Sequence, residues 1–267
     1  TPNEHPRIPM HRLSQTELSR TPPAPLYIAH RGLSARFPEN TMAAFEAAMA
    51  AGAAMIELDV TFSRDRRLAV IHDERVNRTT NGRGPVSAHT MKQLQRLDAG
   101  SWFDPAFAGQ AIPELADVLD LVNGRIAVNI EIKPEAYESS SRDDAVERQI
   151  LDLLAERNML DDAIISSFAW WSLARVRSLS PAVAIGLLSA RPADEHLLFW
   201  YRRLGGFSWH PDWRVVTAAQ VALLHTAGAR VFPFIAAGRI DSARLLAMGV
   251  DGLIVDDPSQ MAAHQWS

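Results

Sequence analysis

Nine short β-rich runs alternate along this 267-residue chain with amphipathic helical stretches, and two of the runs lie very close together. The alternation predicts an α/β fold, a parallel sheet with crossover helices. The close pair predicts one antiparallel return strand, which leaves eight parallel strands and hence a (β/α)8 TIM barrel. The length agrees, because such barrels run roughly 200–250 residues as one domain.

The runs are Leu26–His30, Met55–Val60, Leu68–His72, Ile126–Ile132, Ala163–Phe168, Val183–Leu188, Phe207–His210, Ala229–Ile235 and Gly252–Val255. About seven residues, Thr61 to Arg67, separate the second run from the third, whereas a parallel crossover needs a dozen or more. The third must return antiparallel through a turn near Arg64–Arg66. In such a hairpin, residues whose numbers sum to about 129 face each other, which sets His72 opposite Glu57. Residues 1–25 carry Pro2, Pro6, Pro9, Pro22, Pro23 and Pro25, the pattern of an extended arm, so 26–267 is expected to form the single barrel domain. Residues 73–112 read as a small insertion after the second barrel strand. It holds turn signals at Asn81-Gly82, Gly84-Pro85 and Asp104-Pro105 and one short helix candidate, Ala88–Leu97, ahead of a helix near Glu114–Leu121. Leaving from His72, it is placed to roof the strand ends where barrel active sites assemble.

Composition narrows the function. A net charge of -4 excludes the basic footprint of a nucleic-acid binder, and no apolar stretch reaches the ~20 residues needed to span a bilayer. The expected partner is a small molecule, and the expected state is a soluble cytoplasmic monomer or homodimer. The chain begins at Thr1 rather than Met, which is compatible with a removed targeting segment. With no cysteine, disulfides, thiolate zinc sites and a cysteine nucleophile are excluded. Any metal must therefore use oxygen or imidazole.

Candidate chemistry gathers at strand ends. Glu57-Leu58-Asp59 puts two carboxylates on one face at i, i+2, and Glu131 ends the next parallel strand in the same phase, with Lys133 beside it. Three hard oxygen donors suit one divalent cation, Mg²⁺ or Ca²⁺; rim salt bridges are the plainer reading. His30 closes the first strand and His72 closes the hairpin, so both should sit beside the carboxylates, and imidazoles titrating near neutral pH can take and give a proton. Arg31 and Lys133 are the cations that would face a phosphate, unless they only neutralise Glu57 or Asp59. Asp256, after the last strand, is expected to brace residues of the first. His210 is a weaker candidate for the pocket. His11, His89, His196, His225 and His264 have no convergent partners in the sequence, and Trp170-Trp171, Trp209, Trp102 and Phe103 read as packing residues.

At these residues the sequence resembles the glycerophosphodiester phosphodiesterases, in particular the small soluble bacterial enzymes associated with glycerophosphodiester uptake. The likeness covers about residues 26–258 and rests on His30-Arg31-Gly32, Pro38-Glu39-Asn40-Thr41, Glu57-Leu58-Asp59-Val60, His72-Asp73, Arg78-Thr79-Thr80-Asn81-Gly82, Asp98-Ala99-Gly100-Ser101-Trp102-Phe103, Ile112-Pro113, Glu131-Ile132-Lys133, Ser166-Ser167-Phe168 and Gly249-Val250-Asp251-Gly252. The resemblance implies metal-dependent hydrolysis of glycerophosphodiesters to sn-glycerol 3-phosphate and an alcohol. It further implies that His30 and His72 act as acid and base, that Glu57, Asp59 and Glu131 hold the cation, and that Arg31 and Lys133 contact phosphate. One departure stands out: Phe232-Pro233-Phe234-Ile235 replaces the family's usual Trp-Thr-Val-Asn, so Phe234 is expected to supply an apolar wall beside the glycerol moiety. The competing readings are a lysophospholipase D-like or cyclic-phosphate-forming barrel, and a non-catalytic barrel that only binds phosphodiesters.

Overall fold

The computed structural model describes residues 25–139, 142–235 and 239–259. The expected arm, apart from Pro25, lies outside the described residues, as do His11, His264, Ala236 and Ala237. The elements are β1 Leu26–His30, α1 Met42–Ala50, β2 Met55–Phe62, β3 Leu68–Val70, α2 Met91–Leu94, α3 Leu115–Val122, β4 Ala127–Ile132, α4 Val146–Glu156, β5 Ala163–Ser167, α5 Trp170–Leu179, β6 Ala184–Ser189, α6 Glu195–Leu204, β7 Ser208–Pro211, α7 Ala218–Thr226, β8 Arg230–Val231, α8 Arg239–Ala247 and β9 Gly252–Val255. The eight parallel strands run in the order β8-β7-β6-β5-β4-β2-β1-β9, with β3 antiparallel on β2.

Nearly every strand residue is buried, as expected where helices cover one face and the barrel interior the other. On the outer face, Ile56, Leu58 and Val60 of β2 belong to one core with α3's Leu119 and Val122. Helix α4 shows why such segments dock: Val146, Ile150, Leu151 and Leu154 recur at helical spacing and are buried together. Inside the barrel, Ile28, Met55, Ala127, Ile164, Ala184, Phe232 and Ile254 form a separate apolar plug. That plug floors the polar mouth above it.

Two departures from the sequence reading have clear causes. The hairpin pairs Val60 with Val70, Thr61 with Ala69 and Phe62 with Leu68, so partner numbers sum to 130 and not to 129. Continued, that register would set His72 opposite Leu58 on the outer face, because a one-residue slip exchanges the faces. The ladder instead ends at Val70. One last bond, Ile71 N–H to the Asp59 carbonyl at 3.1 Å, precedes the turn of the chain into the insertion, and His72 lines the inner pocket. The second departure concerns β8, expected over Ala229–Ile235 but reduced to two residues. Pro233 has no N–H to continue the ladder. The seam is closed by Asp251 N–H on the Val231 carbonyl, Ile254 N–H on the Pro233 carbonyl and a bridge between Phe234 and Ile254.

The insertion is a packed unit: Val76, Val86, Met91, Leu94, Ala99 and Ile112 share a small core with Ala69 and Ile71. Trp102 donates its indole N–H to the Ala99 carbonyl and meets Phe103 edge-on, while Phe107 packs on Phe103 and Phe37, so these rings pack as expected.

Gly32 pins the β1–α1 loop to the barrel. Its φ is +83°, and a Cβ there would lie 2.7 Å from the Ala44 carbonyl group. Gly32→Ala is therefore expected to lose about 2 kcal/mol of stability. Thermal unfolding followed by circular dichroism should show Tm falling by roughly 5 °C.

Candidate active site

Parallel register brings the singled-out side chains to one mouth. His30 pairs with Glu57, Glu57 with Asn129, and Asp59 with Glu131, so five inward positions share two adjacent levels of β1, β2 and β4. Ligand oxygens of Glu57, Asp59 and Glu131 all lie within 4.8 Å of one another, and all three residues are buried. A cavity of about 90 Å³ is lined by His30, Arg31, Glu57, His72, Asn129, Glu131 and Lys133 on its polar side, and by Phe168, Leu188 and Phe234 on its apolar side. Every expected site residue except Asp59 reaches the cavity wall. Asp59 sits just behind it, 1% exposed.

Cations hold the acids in place. Lys133 Nζ donates to Glu131 Oε1 at 3.0 Å and Asp59 Oδ1 at 3.3 Å. Arg31 and Asn40 both adopt left-handed backbone, φ +55° and +54°. That conformation turns the Arg31 N–H onto Glu57 Oε2 at 3.0 Å, while Asn40 Nδ2 donates to Asp59 Oδ2 at 2.9 Å. The Arg31 guanidinium donates to Glu39 Oε1 at 2.8 Å, and its Nε lies 3.3 Å from Asp59 Oδ2 without hydrogen-bond geometry.

The three acids do not share one ionisation state. Burial lifts Glu57 well above the usual carboxyl range, reinforced by the charges of Asp59 and Glu131. Burial and Asp59 push Glu131 up to about 7 despite Lys133. Burial also opposes the charge on Asp59, but Arg31, Lys133, His72 and the Asn40 amide outweigh it and hold the group at about 2. The result is an electron-rich, proton-retaining pocket, the condition in which a divalent cation displaces protons. Asn129 Oδ1 adds a buried oxygen with no protein partner on the same strand face. A hard, oxygen-seeking cation fits this donor set.

Each imidazole is braced by an aspartate. Asp256 Oδ1 meets His30 Nδ1 at 2.7 Å, the bracing role expected for it, and Ser34 Oγ donates to the same oxygen at 3.1 Å. Asp73 Oδ1 meets His72 Nδ1 at 2.8 Å. Burial keeps His72 below its ordinary value, only partly offset by Asp59. The His72 dyad is joined to the triad through the insertion. Arg78 donates to both oxygens of Asp73, at 2.7 and 2.9 Å, and to both oxygens of Glu39, at 2.8 and 2.7 Å. Glu39 in turn accepts from Arg31. A closed line of charge thus runs from His72 through Asp73, Arg78, Glu39 and Arg31 to the triad.

Sequence reasoning assigned no role to Glu39, Asn40, Asp73, Arg78 or Asn129. Arg78 and Glu39 stand in two of the motifs that carry the resemblance, but only the folded insertion brings them together. His210 lies outside the pocket: it is fully buried in the barrel wall, bonded to Ser208 Oγ at 2.7 Å, and burial drives it down to about 3. His225 has a partner after all, Asp251 Oδ2 at 2.8 Å, which also holds Arg230 beside the β8–β9 seam.

Ligation needs unprotonated carboxylates, so raising pH from 6 to 8, through the Glu131 value of about 7, should strengthen binding of a divalent cation. In the cation-free protein the sign reverses. Above about 4.5 the unfolded chain releases a proton that folded Glu131 keeps until about 7, so that contribution to stability is lost as pH rises through 7. Melting curves with and without Mg²⁺ or Ca²⁺ should show a larger cation-induced gain in Tm at pH 8 than at pH 6. Arg78→Met should lower kcat roughly 10- to 100-fold by freeing Asp73, the brace of His72, and Glu39, the partner of Arg31, with Arg78→Lys recovering only part because it lacks the fork. Steady-state kinetics on a glycerophosphodiester would measure this.

A model described as the glycerophosphoryl diester phosphodiesterase family matches residues 30–260. A glycerophosphodiester phosphodiesterase of Caldanaerobacter subterraneus is 39% identical over 239 residues, covering 88% of this chain and 96% of that protein. One from Bacillus subtilis is 32% identical over 250 residues, covering 87% and 84%. Among solved structures, an Oleispira antarctica phosphodiesterase in complex with the product sn-glycerol-3-phosphate superposes with a TM-score of 0.84 at 26% identity, covering 91% of this chain and 97% of that one. A glycerophosphodiester phosphodiesterase from Agrobacterium tumefaciens gives 0.76 at 28% identity, covering 90% and 100%. Fold, strand-end acids and relatives agree, and the chain belongs to the glycerophosphoryl diester phosphodiesterase family.

Proposed function

We propose that this protein hydrolyses glycerophosphodiesters to sn-glycerol 3-phosphate and an alcohol, with His30 and His72 exchanging the protons and Glu57, Asp59 and Glu131 holding one Mg²⁺ or Ca²⁺. The observation that carries this reading is the joint placement of two aspartate-braced imidazoles and a buried acidic triad on one cavity of about 90 Å³.

When bound, a divalent cation would neutralise charge developing on the phosphate oxygens. The remaining work falls to the side chains. Because Asp256 and Asp73 occupy the Nδ1 positions, Nε2 is the free nitrogen of each ring. His72, kept neutral near pH 7 by burial, is suited to accept the proton of the attacking hydroxyl. His30 would then protonate the departing alcohol. The Arg31 and Lys133 side chains, both on the cavity wall, would receive phosphate oxygens as negative charge grows. Phe234, on the apolar wall, would offer a glycerol backbone an apolar face in place of the family's Trp, and the family's Asn has no counterpart in Phe232-Pro233-Phe234-Ile235.

Replacing either His30 or His72 by Ala should reduce kcat by about 10²–10⁴-fold, the usual contribution of one acid or base. Cation-induced thermal stabilisation should survive both changes, because neither ring belongs to the triad. Release of sn-glycerol 3-phosphate from glycerophosphocholine should stop with EDTA and return with added cation. Turnover that persists without metal, or in both histidine variants, would refute the assignment.

A further inference from the structure

Helix α6, Glu195–Leu204, buries Leu197, Leu198, Trp200, Tyr201 and Leu204 and leaves Glu195, His196, Phe199, Arg202 and Arg203 exposed. The outer face of such a helix is ordinarily polar throughout. Phe199 breaks that pattern. It stands 55% exposed in the middle of the face and continues toward a second uncovered ring, because Trp200 meets it edge-on at 6.1 Å and meets Trp171, 65% exposed, at 4.6 Å. Uncovered large aromatics rimmed by charge mark a contact surface more often than idle exposure. Phe199 shares a shallow groove of about 730 Å³ with Glu195, Leu198, Arg202 and Arg203.

The charges flank the ring symmetrically. At 3.6 residues per turn and a rise of about 1.5 Å, Glu195 and Arg203 lie about 6 Å to either side of Phe199 along the helix axis and about 40° to either side around it. They are about 12 Å apart, too far to pair within the helix, where partners stand three or four residues apart. Neither side chain makes a hydrogen bond or an ion pair among the described residues. An acid in the first turn and a base in the last suit the helix's own dipole, but the dipole does not call for an exposed ring between them.

A half-turn about an axis through Phe199 exchanges the two signs. Set antiparallel on a second copy of itself, α6 places Glu195 directly opposite Arg203 of the partner subunit, and it does so at both ends of the contact. The two Phe199 rings meet on the axis, beside Leu198. A parallel pairing would set like charges against each other. This self-complementarity is what an isologous two-fold interface requires.

We propose that the protein forms a two-fold dimer through antiparallel α6 helices, centred on Phe199 and held in register by Glu195 and Arg203. Because α6 returns along β6, the two barrels then point in opposite directions, and their reaction cavities open toward opposite ends of the dimer. A ten-residue helix is about 15 Å long, which puts the contact in the small, reversible class, with dissociation in the micromolar range.

Sedimentation velocity between about 1 and 100 µM reads the dimer directly. Glu195→Arg and Arg203→Glu each set like charges opposite one another at both ends of the interface, and each should raise the dissociation constant roughly 100-fold. Either variant alone should then sediment as a monomer where the wild-type protein is dimeric. An equimolar mixture of the two should return to a dimer, because the mixed pair restores both opposite-charge contacts. Both substituted residues are exposed, so circular dichroism should show each variant melting within roughly 2 °C of the wild type. A wild-type chain that stays monomeric at about 100 µM overturns the inference and leaves the stripe to another protein or to a lipid surface. So do variants that dimerise as well as the wild type, which would place the interface elsewhere, and monomeric variants that fail to recover on mixing, which would deny the antiparallel register.

Discussion

Three carboxylates and two cations are packed into the mouth of this barrel, and burial makes their imbalance expensive. Moving a carboxylate out of water costs several kcal/mol even after relaxation, and mutual repulsion adds to it. Lys133 and Arg31 answer Asp59 fully and Glu131 in part, while Glu57 gains only a backbone N–H and a distant share of Arg31. The excess must be met by protons or by a cation. The site's ionisation, its appetite for metal and its sensitivity to pH are all aspects of that single imbalance.

The rest of the scaffold can be understood as keeping these charges from relaxing. An apolar plug beneath the acids denies them water from below. Strained backbone at Arg31 and Asn40 fixes two donors above them. The insertion closes the circle, its small core holding Arg78 where one guanidinium grips both Asp73 and Glu39. A barrel loop that merely covered the mouth would not require such a link. Here the covering segment shares a polar framework with the groups it covers, and the two imidazoles are oriented by aspartates far apart in sequence, Asp73 and Asp256.

Much of this was readable from residue order. Period-two spacing located Glu57, Asp59 and Glu131 on inner faces, and the short gap after β2 revealed the return strand. The sequence did not reveal the hairpin's register, because the turn around Arg66 admits a shift of one, and the pocket position of His72 depends on the ladder ending at Val70. Nor could it show Asp73 beside His72, since neighbours on a continuing strand would point apart. Arg78 and Glu39 stood in motifs that signalled the family but not their role, because nothing in local spacing announces a contact made through a folded insertion. Asp256 was foreseeable because β9 must lie next to β1 in a closed barrel. The Phe232–Ile235 segment was legible as a departure in type, but its shortening of β8 followed from Pro233 alone.

That shortened strand has an evolutionary consequence. The β8–β9 seam is tied by few backbone bonds and stands across the pocket from the β2–β4 ladder that bears the acids. Substitutions near Phe234 can reshape the apolar wall of the cavity without disturbing the strands that carry the charge. The molecule thus separates what it recognises from how it reacts, and a lineage built on this frame can change its diet while retaining its chemistry.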